Sequence, residues 1–169
     1  FNSKVIYISH DIITSSDKGY AGEREDKSGA VIKEIVEGPG FTVVKQVVLP
    51  DEKEMLKNEF KVMSDELKVN LILSTGGTGF SKRDITPEAT KEILDREAPG
   101  ICEAIRMYSM QITKRAMLSR AVSGIRKDTL IVNLPGSPKA CKEALDFVLD
   151  DVKHGIDILL GSARECARK

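Results

Sequence analysis

The chain carries no net charge: 26 basic residues balance 26 acidic ones over 169 positions. A dedicated nucleic-acid-binding domain usually shows a clear positive excess, so the balance argues against that class, although it leaves room for a local basic patch. Cysteine is scarce and odd in number. Cys102, Cys141 and Cys166 contain no C-x-x-C pair, so neither a disulfide framework nor a zinc site is suggested. Cys102 and Cys141 fall at apolar positions of expected helices and read as packed thiols. The only histidines, His10 and His154, lie far apart and give no metal pair and no Cys–His dyad. Long hydrophobic runs are missing as well. The stretch from Val5 to Ile8 is too short for a signal peptide, and nothing approaches a membrane span. The expectation is a reducing, cytoplasmic location, with no membrane or nucleic-acid partner.

What is present is an alternation of strand and helix signals. Apolar residues make up 41% of the chain, enough for one domain over residues 1–169 with a self-sufficient core. No linker, repeat or low-complexity stretch divides it. A β-branched run at 4–9 reads as the first strand, and 28–37 as a helix with Val31, Ile32, Ile35 and Val36 on one stripe. Strand two is 41–49. A second helix starts near Asp51 and puts Leu56, Phe60, Met63 and Leu67 at the spacing of one buried face. Residues 69–74 are nearly all apolar, as in a central strand covered on both sides. Helices are expected over 87–97 and from 99 toward 111, strands over 121–125 and 130–133, and helix thereafter. Such alternation implies an α/β fold: a mostly parallel central sheet with helices on both faces.

In an open α/β sheet, ligands bind beyond the carboxyl ends of the strands, so the loops leaving each strand are informative. S-T-G-G-T-G at 74–79 places glycines where consecutive N–H groups can hold a phosphate. Thr86 then reads as a helix N-cap with Pro87 at the first helical position, bringing a partly positive helix end close by. Taken alone, the loop serves an ordinary strand-to-helix turn equally well. It matches neither a P-loop nor a dinucleotide fingerprint. Leu134-Pro135-Gly136-Ser137-Pro138 repeats the scheme, with Ser137 as N-cap. Asp51, three residues before Glu54, has capping-box spacing and reads first as a helix cap. Asp84 lies beside the glycine loop, where a carboxylate repels a phosphate unless magnesium intervenes; a salt bridge with Lys82 and Arg83 is the plainer alternative. The polar loop from Thr14 to Gly29 suits either binding or a simple surface excursion.

Together these segments resemble a known family. S-D-x-x-x-x-G-x-x-x-D-x-S-G (16–29), L-P-D-E (49–52), S-T-G-G-T-G-F-S-K-R-D-I-T-P-E-A-T (74–90), R-E-A-P-G (96–100), M-L-S-R (117–120) and N-L-P-G-S-P-K (133–139) run in order over nearly the whole chain. They are similar to the Mog/MoaB-type molybdopterin adenylyltransferases of molybdenum cofactor biosynthesis, a family that includes the N-terminal domain of gephyrin. The resemblance implies a doubly wound three-layer α/β/α fold, assembly as a homotrimer, and magnesium-dependent transfer of AMP from ATP to molybdopterin with release of pyrophosphate. It gives Asp51 and Asp84 the roles of the two essential acids and candidate Mg2+ ligands, overturning the capping reading of Asp51. Thr75, Gly76, Gly77, Thr78 and Gly79 match the phosphate loop, Pro135, Gly136 and Ser137 a second wall, and Ser16 and Asp17 the opening loop. Lys82 or Arg83 is expected to neutralise phosphate charge. Molybdate insertases carry a related domain in a longer chain, so adenylylation is expected here, with an insertase as the acceptor of the product. The alternative from another class is a non-catalytic molybdopterin-binding module or trimeric scaffold.

Overall fold

The computed structural model describes residues 8–38 and 40–161. Its strands are β1 (Ile8–Ser15), β2 (Phe41–Leu49), β3 (Leu71–Thr75), β4 (Arg96–Glu97), β5 (Ser123–Arg126) and β6 (Thr129–Leu134). The helices are α1 (Asp17–Tyr20), α2 (Lys27–Val36), α3 (Lys53–Lys61), α4 (Thr86–Ile93), α5 (Gly100–Met110) and α6 (Pro138–Leu159). One sheet runs in the order β2-β1-β3-β6-β5-β4. Its first four strands are parallel, while β5 is antiparallel to both β6 and β4.

Side-chain alternation along the central strands divides the core into two layers. Ile8, Ile12, Leu71, Leu73, Leu130, Val132 and Leu134 pack with residues of α2, α5 and α6 on one face. Ile13, Ile72 and Ile131 pack with α3 and α4 on the other. A strand buried on both sides needs apolar residues at successive positions, which is why β3 and β6 read as continuous apolar runs. The doubly wound three-layer α/β/α fold follows. The chain passes from β1 outward to β2 and then back across to β3, so the order reverses between β1 and β3.

Several boundaries differ from the sequence expectation, each for a physical reason. The first strand is Ile8–Ser15 rather than 4–9, and residues 4–7 lie outside the described residues. His10 and Asp11 look like a strand end by pattern, yet both are fully buried. The β1–β2 register skips Val44 at this point, and the freed Lys45 N–H donates to Asp11 Oδ1 at 2.7 Å. Helix α3 is followed by a π turn at Val62–Glu66. The wider turn shifts the helical phase by about one residue, so Leu56, Phe60 and Met63 are buried but Leu67 is exposed. The helix expected over 87–97 stops at Ile93, and Arg96–Glu97 crosses to pair with β5 as an edge strand. Cys102 and Cys141 are buried free thiols, as expected. No helix among the described residues is long and apolar enough to cross a membrane.

The buried neighbours on β1 set opposing acid–base tendencies. Burial lowers the His10 pKa to about 4, against the opposing pull of the Thr42 backbone. Burial raises the Asp11 pKa to about 6, against the opposing pull of the Lys45 amide. For Asp11 the native state holds its proton more tightly than the unfolded chain, so its contribution to stability falls as pH rises from about 4 to 6. For His10 the native state holds its proton less tightly, so stability rises over the overlapping window from about 4 to 6.5. Asp11→Asn is therefore expected to exceed the wild type in stability by roughly 2–3 kcal/mol at pH 7, with the gain vanishing near pH 4. Urea denaturation at several pH values measures the difference.

Candidate functional site

The carboxyl ends of β1, β2, β3 and β6 surround a cavity of about 700 Å³ at the point where the strand order reverses. Residues 14–16, Asp51, residues 75–77, Asp84 and Gly136 contribute to its walls. Helices α2, α4 and α6 begin at the same rim, so their partly positive ends are directed toward it.

The glycine loop is held in an oriented state. Gly76 and Gly77 have φ of +87° and +69°, and both are required by close approaches as well as by conformation. A Cβ on Gly76 would stand 2.4 Å from the Ser15 carbonyl oxygen, and one on Gly77 would stand 2.4 Å from Thr86 Oγ1. Every carbonyl of residues 76–79 accepts a hydrogen bond from the protein. Thr86 Oγ1 donates to Gly76 O and Thr86 N to Gly77 O. Arg120 N donates to Thr78 O and Arg120 Nε to Gly79 O. None of the four N–H groups donates to a protein acceptor among the described residues. With carbonyls turned to the protein and amides left over, the loop has the polarity of an anion-binding concavity.

Thr86 therefore serves differently from the sequence expectation. It is the first residue of α4, follows Ile85 at the cap position, and spends its hydroxyl on Gly76 rather than on its own helix. Asp51 likewise does not cap its own helix: the cap position of α3 is Glu52, without a side-chain bond. The Asp51 carboxylate instead accepts from Ser15 Oγ at 2.6 Å and from Asp17 N at 3.1 Å, while Asp51 N donates to Asp17 Oδ1. Arg83 grips Asp17 through two nitrogens at 3.0 and 2.9 Å and also reaches Glu52 at 2.9 Å. That guanidinium holds the Asp17 carboxyl below its usual range. The alternative reading of Asp84 as a salt-bridge partner of Arg83 is not met, since Arg83 pairs with Asp17 and Glu52. Asp84 Oδ2 accepts from Ser81 N at 3.0 Å and would lie 3.0 Å from a Cβ on Gly79.

Of the residues singled out from sequence, Ser16, Asp51, Thr75, Gly76, Gly77, Asp84 and Gly136 line the cavity. Asp17 and Arg83 stand beside it as a bracket behind Asp51, and Lys82 is exposed. Ser137 caps α6 through Ala140 N. Thr78, Gly79 and Pro135 line a smaller neighbouring cavity of about 320 Å³ that includes Ile105 and Leu118. Pro135 O also accepts from Thr75 Oγ1 at 2.6 Å and from the Cys141 thiol at 2.9 Å, tying the two loops together.

By sequence the loop from Thr14 to Gly29 suits either binding or a surface excursion, and Thr14, Ser15, Gly19, Arg24, Glu25, Lys27 and Ser28, which stand in the walls, are not singled out within it. Ending the first strand at Ser9 hid Thr14 and Ser15, which occupy its true carboxyl end. Asp26 was visible only as part of a motif. It caps α2 through Gly29 N and accepts from Thr14 Oγ1 at 2.8 Å. Four carboxylates (Glu25, Asp26, Asp51, Asp84) face two cations (Arg24, Lys27) around this cavity.

Fold and site define an α/β protein with a cavity at the switch point of a mostly parallel sheet, lined by backbone whose polarity suits an anion. The chain belongs to the family described as probable molybdopterin binding domain, whose model matches residues 11–154. It is 36% identical over 160 residues to a molybdopterin adenylyltransferase of Helicobacter pylori, covering 94% of this chain and 91% of that protein. Among solved structures it is similar to the molybdopterin biosynthesis enzyme MoaB of Thermus thermophilus, with a TM-score of 0.86 and 44% identity over 91% of this chain and 97% of that one. The tungsten cofactor synthesizing protein MoaB of Pyrococcus furiosus gives a TM-score of 0.80 and 35% identity, covering 94% and 98%.

The two crowded glycines give a direct test of the loop geometry. Gly22 has a similar φ of +76° with nothing within 4 Å of a Cβ, so Gly22→Ala is expected to cost only the left-handed strain, about 1 kcal/mol. Gly76→Ala adds a clash with backbone and is expected to cost about 3 kcal/mol or more. Chemical denaturation of the two variants side by side measures the gap.

Proposed function

We propose that this protein is a molybdopterin adenylyltransferase of molybdenum cofactor biosynthesis, joining the phosphate of molybdopterin to the AMP moiety of ATP. Family membership and the names of its relatives support the reaction class. The observation that carries the site assignment is the unpartnered amide face of residues 76–79, whose Gly76 and Gly77 share one cavity with acidic side chains.

In this reaction an oxygen of the molybdopterin phosphate forms a bond to the α-phosphorus of ATP. The bond from that phosphorus to the α–β bridging oxygen breaks, and the electron pair leaves on pyrophosphate. The attacking phosphate is already anionic, so no general base is required, and the protein's task is alignment and charge neutralisation. The amides of Gly76 and Gly77 and the ends of α2, α4 and α6 hold phosphate oxygens. Arg24 and Lys27 are the cavity cations available to them, since Arg83 is committed to Asp17 and Glu52.

The donor set fits magnesium. Among the described residues no three His, Cys, Asp or Glu side chains form a protein cage, whereas Mg2+ typically takes one or two carboxylates and completes its shell with phosphate oxygens and water. Asp51 and Asp84 would hold the ion, which supplies neutralisation between two negatively charged reactants. Ser15 and Asp17 N fix the orientation of Asp51 for this role.

The same reading takes residues 1–169 as a single domain, assembled as a homotrimer in the cytoplasm, with a molybdate insertase receiving the adenylylated product. Incubation of the purified chain with ATP, magnesium and molybdopterin is expected to yield AMP-bearing molybdopterin and pyrophosphate; tight binding without turnover would instead mark a binding module. Asp84→Asn should keep the fold, judged by an unchanged thermal midpoint, and lower AMP transfer by about 100-fold or more. Chelation with EDTA should abolish transfer reversibly. A folded Asp84→Asn variant with normal turnover removes Asp84 from the mechanism.

A further inference from the structure

The M-L-S-R segment at 117–120 has been given no role in the chemistry, yet its last residue touches the glycine loop at more points than any neighbour but Thr86. Arg120 N donates to Thr78 O at 2.8 Å and its Nε to Gly79 O at 2.7 Å. Nη2 donates to Asp84 O at 3.0 Å, and Nη1 pairs with Glu88 on α4. One planar group thus fixes the carbonyls at both ends of the 79–84 excursion, and its own backbone fixes a third. A guanidinium suits this work because its donors are rigidly splayed and permanently protonated.

We propose that Arg120 is a positioning residue for the site, anchoring the outer end of the glycine loop at Gly79 and holding Asp84 at the loop's edge. The inference rests on the reading of that cavity as a phosphate site. A peptide unit joins the carbonyl of one residue to the N–H of the next: if the Gly79 carbonyl loses its donor, the 79–80 unit can rotate, and the backbone that leads from the glycine loop to Asp84 loses its anchor. Thr86 secures residues 76 and 77, whereas Thr78 and Gly79 depend on Arg120. The Asp84 carboxylate is controlled the same way. Its backbone carbonyl is held by Nη2 and its Oδ2 by Ser81 N, across the turn that Arg120 closes. Arg120 does not line the large cavity, so it acts through the loop and not on a reactant.

The test compares wild type, Arg120→Lys, Arg120→Ala and Glu88→Gln in the full chain. Lysine keeps the charge but has no planar fork, so Arg120→Lys is expected to raise the KM for ATP about tenfold, with a smaller fall in kcat and an unchanged thermal midpoint. Arg120→Ala should be worse, and millimolar methylguanidinium should restore part of its activity. Glu88→Gln should behave as wild type, because the ion pair is not what orients the loop. Hydrogen exchange of the ligand-free proteins gives a readout independent of turnover: the Ser81 and Asp84 amides, each bonded to the other residue across the turn, should exchange faster in both Arg120 variants, with β3 unchanged. Should the wild type itself fail to transfer AMP, the proposed activity falls while the exchange comparison still judges Arg120. A KM within about twofold of wild type in Arg120→Lys, a Glu88→Gln variant that reproduces the loss, or unchanged exchange at Ser81 and Asp84 overturns the proposal.

Discussion

An anion can approach a protein backbone only where carbonyl oxygens have been turned away from it, because each peptide unit carries both signs of partial charge. Residues 76–79 meet this condition through donors supplied from behind, by Thr86 and Arg120. Positive φ at Gly76 and Gly77 makes the turn possible, and the missing Cβ atoms leave room for Ser15 O and Thr86 Oγ1. Conformational freedom and close approach are separate demands, and Gly22 shows the first without the second. The site depends on both being met at adjacent residues.

A second constraint is electrostatic. The cavity presents more carboxylates than cations, an arrangement that would reject two phosphorylated reactants in the absence of a divalent ion. Asp51 illustrates how the protein holds such a charge ready. Its carboxylate is fixed by Ser15 and by the Asp17 amide, and Asp17 is in turn gripped by Arg83. Arg83 thereby contributes positive charge near the rim without being free to bind substrate. The exposed ion pair itself adds little stability; its consequence lies in the orientation it passes on to Asp51.

Much of the architecture was legible because its causes are local. The apolar run of β3, the glycine turns and the stripe of α2 all follow from periodicity and backbone freedom, and their approximate limits agree with the structure. The failures share a different cause. β1 was cut short because His10 and Asp11 are polar, and only the register skip opposite Val44 explains how Asp11 finds an amide inside the sheet. Leu67 was assigned to the core because a π turn leaves no mark in residue spacing. Thr86 and Asp51 both obeyed capping rules and both spend their side chains on distant loops. Capping grammar describes what a residue can do for its own helix, and it is silent when a tertiary partner makes a better offer. Arg120 was visible only as the end of the M-L-S-R match and not by any role, because its partners are 32 to 42 residues earlier in the chain.

Strand register is what converts these separate loops into one site. Thr14 pairs with Thr75, and Thr75 pairs with Leu134, so β1, β3 and β6 end at one level. The loops that follow consequently start side by side, which lets Ser15 O meet Gly76, Thr75 Oγ1 meet Pro135 O, and Ser28 Oγ meet Gly136 O. A slip of one residue between β1 and β3 would exchange their inward and outward side chains. It would drive Ile12 and Ile13 into the wrong layers, and the two core clusters forbid that at a cost of several buried side chains. The hydrophobic pattern along the strands thus does more than stabilise the sheet. It fixes, to within one residue, where the amides and carboxylates of the cavity stand relative to each other.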